Sequence, residues 1–435
     1  MDQIGTQSQP QPESPPNALN ALPTEIHLGI LEKLPGQDLK ALALCSKYYN
    51  DISRRFLFRH VQNNGLKLFQ GGSCEGIRHH VQSVKLVFKN NETHSSQYEP
   101  QEDFDRTAYS KLRVNLATLK LFPCVRSLHV FLKSIRSVEK AIYLTILKAI
   151  GNSEFRNTLE DLRFEIERDN DATPTQQLSQ DQRYKYIYSN IATVDQEFIG
   201  NTLPSEYKLE TFTNATPNLP ALKRFRLCGF DFPSPIDDPR SNNFRKHGFY
   251  YHSIALAPRL RDLHVDIPWG FEDIFNKESL DLHPDLVSAF SRIQSLTLRL
   301  IQIPGRSNIQ RLPEIFPNLE NLDIRPHFNS TLGVRSDTSS SYDAITNLKS
   351  VRAITLPWPI LKMTNRADGG ILTELACSWK RGGLHRLETV VFVDRLYVLG
   401  QCADVKASIR LEGPAGGTVT GILQISDEPS GPDMS

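Results

Sequence analysis

One short pattern recurs along this chain and limits what it can fold into. Leu121-Phe122-Pro123-x-Val125-x-x-Leu128-x-Val130 returns as Leu219-Pro220-x-Leu222-x-x-Phe225-x-Leu227, as Ala257-Pro258-x-Leu260-x-x-Leu263-x-Val265, and as Phe316-Pro317-x-Leu319-x-x-Leu322-x-Ile324. Copies without the proline are Val81/Val84/Leu86, Leu159/Leu162/Phe164, Ile293/Leu296/Leu298, Val351/Ile354/Leu356 and Leu387/Val390/Phe392. Apolar residues two apart on a short strand face the same side, and an apolar residue three positions earlier packs under the turn that leads into the strand. A chain built from such units is confined to an array of short strands.

Helical patterns separate the strands: Ser137 to Ile150 with Gly151 as its stop, a segment from near Pro284 to Phe290, Asn308 to Phe316, and Ile371 to Trp379 followed by Gly382-Gly383. Each unit therefore reads helix, proline-marked turn, strand. The expected fold class is α/β, with parallel strands on the concave face of a curved solenoid and helices outside. A doubly wound sheet would call for longer all-apolar strands and a glycine-rich phosphate turn, and the sequence has neither. Spacing between units is irregular, roughly 26 to 44 residues with one longer gap, against about 20 to 29 in regular leucine-rich repeats. The array resembles degenerate, irregular leucine-rich repeats.

The chain ahead of the array has a different character. Residues 1–20, rich in Gln, Pro and Ser, lack the apolar groups needed to offset the entropy of ordering and are expected to be disordered. From Leu22 to Val61 three short helices are expected. Pro23 suits the first turn of the first helix, where its missing N–H costs nothing, and Ile26, Ile30, Leu31 and Leu34 gather on one side of it. Pro35 and Gly36 stop that helix. Asp38 is the expected opening residue of the second, which carries Leu39, Leu42, Ala43 and Cys45, and a third runs through Tyr49 and Ile52 to Phe56. Three helices this small hold more apolar surface than they can bury alone, so a further surface has to cover them.

The same stretch resembles the F-box: Leu22-Pro23-x-Glu25-Ile26, Ile30-Leu31, Leu34-Pro35, Asp38-Leu39, Leu42, Cys45-Ser46-Lys47 and Leu57-Phe58 stand where that family places like residues. Tyr48 and Tyr49 depart from the basic residue and Trp frequent there, and Phe58 from a frequent Trp, with aromatic bulk kept. The resemblance covers about forty of the 435 residues. It implies a three-helix motif that interdigitates with a Skp-type adaptor, which sits on a cullin scaffold carrying a RING subunit and a ubiquitin-charged E2. The adaptor contacts it implies are Leu22, Pro23, Glu25, Ile26, Ile30, Leu31, Leu34, Leu39, Leu42, Leu57 and Phe58.

The expected organisation is thus a disordered segment (1–20), the F-box-like unit (21–62), the irregular solenoid (63–425) with insertions near 90–107 and 169–218, and a loose tail (426–435), with the strands Ala407 to Leu411 and Thr418 to Ile425 forming a closing hairpin. A formal net charge of +1 argues against a chain built to coat nucleic acid or an acidic membrane. The six cysteines stand singly, as expected of reduced thiols in an intracellular protein of cytoplasm or nucleus, and no apolar run is long enough to span a bilayer. No nucleotide loop, nucleophile elbow or zinc-protease motif is present, and the adjacent His79-His80 pair is poorly placed to share a metal. Neither catalytic residues, a metal nor a cofactor is expected.

Residues between the buried strand positions should face a protein target on the concave side: Arg224, Arg226, Asp262, His264, Thr297, Arg299, Asp323 and Arg325, whose mixed sign suits a protein better than a phosphate backbone. Trp269 and Trp358, each following a strand-ending proline, complete a candidate target pocket. The expected function is target recognition for a Skp–cullin–F-box ubiquitin ligase, by proximity and not covalent chemistry. A structural protein that binds the adaptor without cullin is the rival, and a repeat-containing enzyme comes third.

Overall fold

The computed structural model describes residues 22–62, 74–89, 114–133, 146–167, 218–228, 256–266, 284–300, 304–326, 342–358, 368–398, 401–413 and 418–429, with a few positions between them. Residues 1–20, Trp269, and the insertions near 90–107 and 169–218 (Asn218 excepted) lie outside these residues.

Three helices open the described chain: α1 (Thr24–Lys33), α2 (Gly36–Cys45) and α3 (Lys47–Leu57). The first two begin alike. Pro23 and Pro35 stand just outside their helices with extended backbone, and their carbonyls accept the first helical N–H groups, Ile26 and His27 from Pro23, Leu39 from Pro35. Pro23 is therefore the residue before the helix and not part of its first turn. Asp38, expected to open α2, lies instead within its first turn, where a carboxylate faces the positive end of the helix dipole. Ser46 opens α3, its Oγ accepting the Tyr49 N–H at 3.1 Å.

The remainder is dominated by one 12-stranded sheet. In chain order its strands are β1 (His60–Gln62), β2 (Ser83–Lys89), β3 (Ser127–Lys133), β4 (Asp161–Glu167), β5 (Arg224–Cys228), β6 (Asp262–Asp266), β7 (Ser295–Leu300), β8 (Asn321–Pro326), β9 (Ala353–Pro357), β12 (Thr389–Val398), β13 (Gln401–Glu412) and β14 (Thr420–Pro429). A separate two-stranded ribbon, β10 (Ile360–Leu361) with β11 (Asn365–Arg366), lies between β9 and β12 in sequence. Every strand of the main sheet pairs with its neighbour in sequence order, parallel from β1 to β12 and antiparallel from β12 through β14. Residues 426–429, expected in a loose tail, are part of β14 and pair with β13.

The recurring pattern explains the register. Leu128, Leu162, Phe225, Leu263, Leu296, Leu322, Ile354 and Val390 are cross-strand partners in succession, and all are buried. The residues three positions before them, Val125, Leu159, Leu222, Leu260, Ile293, Leu319, Val351 and Leu387, are buried too. Immediately ahead of each strand one carbonyl accepts two consecutive amides of the next unit: Gln82 takes those of Arg126 and Ser127, Arg126 those of Glu160 and Asp161, and so on to Arg352, which takes those of Glu388 and Thr389. This shared acceptor locks each unit to its neighbour at the same position, whatever the length of chain between them.

The helices α4 (Pro284–Phe290), α5 (Arg306–Ile315) and α6 (Gly369–Arg381) contribute Phe290, Leu312 and Trp379 to the same core as the strands, so they lie against the buried face of the sheet. Phe275, Phe290 and Phe316 meet with ring centroids 5.1 to 5.6 Å apart. Trp379 packs with Tyr342 and Phe392, and the Tyr342 hydroxyl donates to the Pro357 carbonyl at 2.7 Å. At the far end α6 crosses the β13–β14 hairpin over Gly421, where a Cβ would come within 2.7 Å of Thr373 Cγ2. No helix among the described residues is long and apolar enough to cross a membrane.

Candidate functional site

Two surfaces answer to the residues singled out by sequence. The first is the outside of the helical unit. Ile26, Ile30, Leu31 and Leu34 do not form a single covered stripe. Leu31 is 1% exposed and His27 is buried beside it, while Leu22, Ile26 and Ile30 follow one another at four-residue spacing and are 37%, 49% and 43% exposed. The ring of His27 explains the division: its Nδ1 shares a 2.8 Å hydrogen bond with the Tyr48 hydroxyl, and it packs against both Tyr48 and Tyr49. An imidazole so held on α1 turns the helix, bringing Leu31 inward and Ile26 and Ile30 out.

Pro23 and Glu25 accompany the exposed line, Leu34, Leu42, Leu57 and Phe58 are half-buried, and Leu39 is buried. Leu31 and Leu39 are thus enclosed by the unit itself and shape it without contributing surface. Sequence reasoning passed over Leu44, which is 89% exposed on α2, and Tyr48, which is exposed on α3. Within the unbroken run Ala41-Leu42-Ala43-Leu44-Cys45 no polar residue marks which side faces outward.

The second surface is the face of the sheet turned away from the core. Strand alternation sends its side chains outward in rows fixed by the register. One row runs Lys85, His129, Arg163, Arg226, His264, Thr297, Asp323, and the next Glu165, Cys228, Asp266, Arg299, Arg325. The predicted Arg226, His264, Thr297, Arg299, Asp323 and Arg325 stand together in these rows, with Arg224 and Asp262 one row nearer the strand starts.

Charges there are knitted to one another. Arg163 Nη2 and His129 Nε2 both reach Glu165 Oε2 at 2.9 Å, Arg224 meets Asp161 at 3.3 Å, Arg299 meets Asp266 at 3.7 Å, and Arg325 donates to Asp323 at 2.8 Å. Burial alone would push the Glu165 carboxyl up, but the hydrogen bond from His129 and the Arg163 guanidinium outweigh it and hold it below the usual carboxylate range. Asp262 goes the other way, since burial, aided by Asp161, prevails over Arg226 and Arg224. At the centre, burial pushes the Cys228 thiol up to about 12. Burial also lowers His264 to about 3, with the guanidiniums of Arg299, Arg226 and Arg163 adding to the effect.

Trp358 is half-buried and packs against the core, its backbone N–H donating to Val393. Its ring leans on the fold, and with Trp269 outside the described residues the paired-tryptophan pocket is not among the features the structure brings together. His79 and His80 end a short 3₁₀ turn, with ring centroids 3.8 Å apart.

What the arrangement defines is a class: a mixed α/β protein with a sequentially wound, mostly parallel sheet, one charged sheet face and an N-terminal helical unit with apolar residues outward. No family model matches the chain, and no curated protein matches it.

Proposed function

We propose that this chain is the target-recognition subunit of a Skp–cullin–F-box ubiquitin ligase. The observation that carries the reading is the set of exposed apolar residues Leu22, just ahead of α1, Ile26 and Ile30 on α1, and Leu44 on α2, within a helical unit whose sequence follows the F-box pattern. Apolar side chains set in a line on a small helical unit suit burial against a partner helix. A Skp-type adaptor is that partner in this reading, linking the chain to cullin, the RING subunit and the E2.

The second half of the reading is an irregular, leucine-rich-repeat-like solenoid whose charged sheet face takes the target. Its rows of paired arginines and carboxylates offer both signs of charge within a few ångströms, which favours a protein surface over a uniform polyanion. The chain then acts by holding a target lysine near the E2 thioester, and no residue of its own does covalent work.

Affinity purification of the intact protein from cell extract tests this. Adaptor, cullin and RING subunit should co-purify, and all three should vanish when Ile26, Ile30 and Leu44 are changed to Ala. Adaptor without cullin overturns the ligase assignment in favour of an assembly role; neither partner appearing overturns the docking assignment as well.

A further inference from the structure

Cys228 closes β5 and Asp266 closes β6, and the two are direct partners across the parallel pair. His264 stands two residues before Asp266 and so emerges on the same face. A ligand atom of each, the Cys228 sulfur, an imidazole nitrogen of His264 and a carboxylate oxygen of Asp266, lie within 4.8 Å of one another. His264 Nε2 is shielded from solvent and has no hydrogen-bond partner. Leaving a buried ring nitrogen unsatisfied is costly, and a group in that state asks for an explanation such as a bound ion.

We propose that Cys228, His264 and Asp266 bind a zinc ion on the charged face of the sheet, with a fourth coordination position left for water. The donor set selects the metal. A thiolate and an imidazole suit zinc and disfavour magnesium and calcium, which take oxygen ligands, and a single carboxylate completes a three-residue set of the kind that leaves one position open. Zinc lies about 2.0 to 2.3 Å from such ligands, which in a tetrahedron stand about 3.5 Å apart. The donors, within 4.8 Å of one another on two paired strands, stand close to that spacing.

Charge is the objection to meet. Arg299 lies 3.7 Å from Asp266 Oδ2, and Arg163 and Arg226 stand in the neighbouring row, so a bare dication would be repelled. On binding, the Cys228 S–H bond breaks, the proton passes to water and the sulfur electron pair goes to zinc. The thiolate and carboxylate then cancel the ion's two charges, and Arg299, beside the carboxylate, becomes an orienting group behind the ligand. Glu165, directly across from Cys228, faces the same cluster and offsets the surrounding guanidiniums.

The site lies apart from the adaptor-facing helices, so its test leaves the ligase reading standing or falling by itself. The full chain, stripped with a chelator, is titrated with zinc against a chromophoric competitor and separately loaded with cobalt, whose thiolate charge-transfer absorbance reports a cysteine ligand. One equivalent should bind, Cys228→Ser should abolish that absorbance, and Cys45→Ser, on an exposed thiol of α2, should leave it intact. His264→Gln should weaken zinc by about a thousandfold, its share if a structural zinc's binding free energy is divided among the three protein ligands. Mass-spectrometric mapping of thiol alkylation needs no variant: zinc should slow modification of Cys228 and not of Cys45. The proposal is overturned if no equivalent binds, if the absorbance survives Cys228→Ser, or if Cys228 is alkylated at the same rate with and without zinc.

Discussion

Replacing Ile26, Ile30 and Leu44 together by Ala separates docking from folding, because the three project from the helical unit and Leu31 does not. Burying a full Ile or Leu side chain contributes about 1.5 to 3 kcal/mol. With Ile26 and Ile30 49% and 43% exposed and Leu44 89% exposed, the surface still available to a partner is worth about 1 kcal/mol at each isoleucine and about 2 at the leucine. Ala keeps its Cβ, so the triple variant should lose about 3 kcal/mol, roughly a hundredfold in affinity. Its fold should hold, since exposed positions seldom move stability by more than about 0.5 kcal/mol and Ala favours helix. Leu31→Ala is the counterpart: at 1% exposure it should destabilise the unit by about 2 to 5 kcal/mol. Isothermal titration of purified chain with a purified Skp-type adaptor, beside thermal unfolding of the same samples, reads both quantities. Undiminished affinity in the triple variant, or a fall in stability matching the fall in affinity, would refute the reasoning.

Phe316→Ala removes the ring shared by Phe275 and Phe290 and should cost about 3 to 5 kcal/mol, measured by chemical denaturation. Gly413 adopts φ +109°, and a Cβ there would collide with the Thr418 carbonyl oxygen, so Gly413→Ala should destabilise the β13–β14 hairpin by about 1 to 3 kcal/mol and raise amide exchange along it. The Lys223 ammonium, hydrogen-bonded at 2.9 Å, holds the Glu160 carboxyl below its ordinary range. A depressed carboxylate lends stability above its unfolded pKa and loses it as pH falls through the lower folded value. Lys223→Met should therefore raise the Glu160 pKa in an NMR titration and lessen that acid-side decline, of which Arg126 and Arg224 keep a part, while changing neutral-pH stability by less than about 1 kcal/mol, as for other exposed pairs.

The strands were legible because burial on one face fixes both spacing and identity: Leu263 and Val265 two apart, Leu260 three before, left no other side to turn inward. The orientation of α1 was not legible. Ile26, Ile30 and Leu31 are equally apolar, and what decides between them is the contact between His27 of α1 and Tyr48 of α3, 21 residues apart in sequence. The Cys228, His264 and Asp266 cluster escaped for a related reason. Motifs are recognised by spacing along one element, whereas here the donors meet only through the β5–β6 register, across a connection whose length carries no information about pairing. The end of the sheet was misjudged because Asp427, Glu428 and Pro429 look like tail residues, yet an edge strand accepts such residues wherever its partner supplies the ladder.

The helical unit and the sheet meet without a spacer. α3 ends at Leu57, β1 begins at His60, and the Arg59 carbonyl already accepts the amides of Gln82 and Ser83. Phe58, in the short link, packs edge-on against Phe69 of the core. A truncation at residue 62, the boundary suggested by sequence resemblance, therefore does more than remove a docking module. It strips the outermost parallel strand and bares the backbone of β2, an apolar row of Val84, Leu86 and Phe88 behind an unprotected edge of the kind that invites aggregation. Cutting before Arg59 spares that strand, so poor behaviour of the shorter fragment would report a lost edge and not a lost partner.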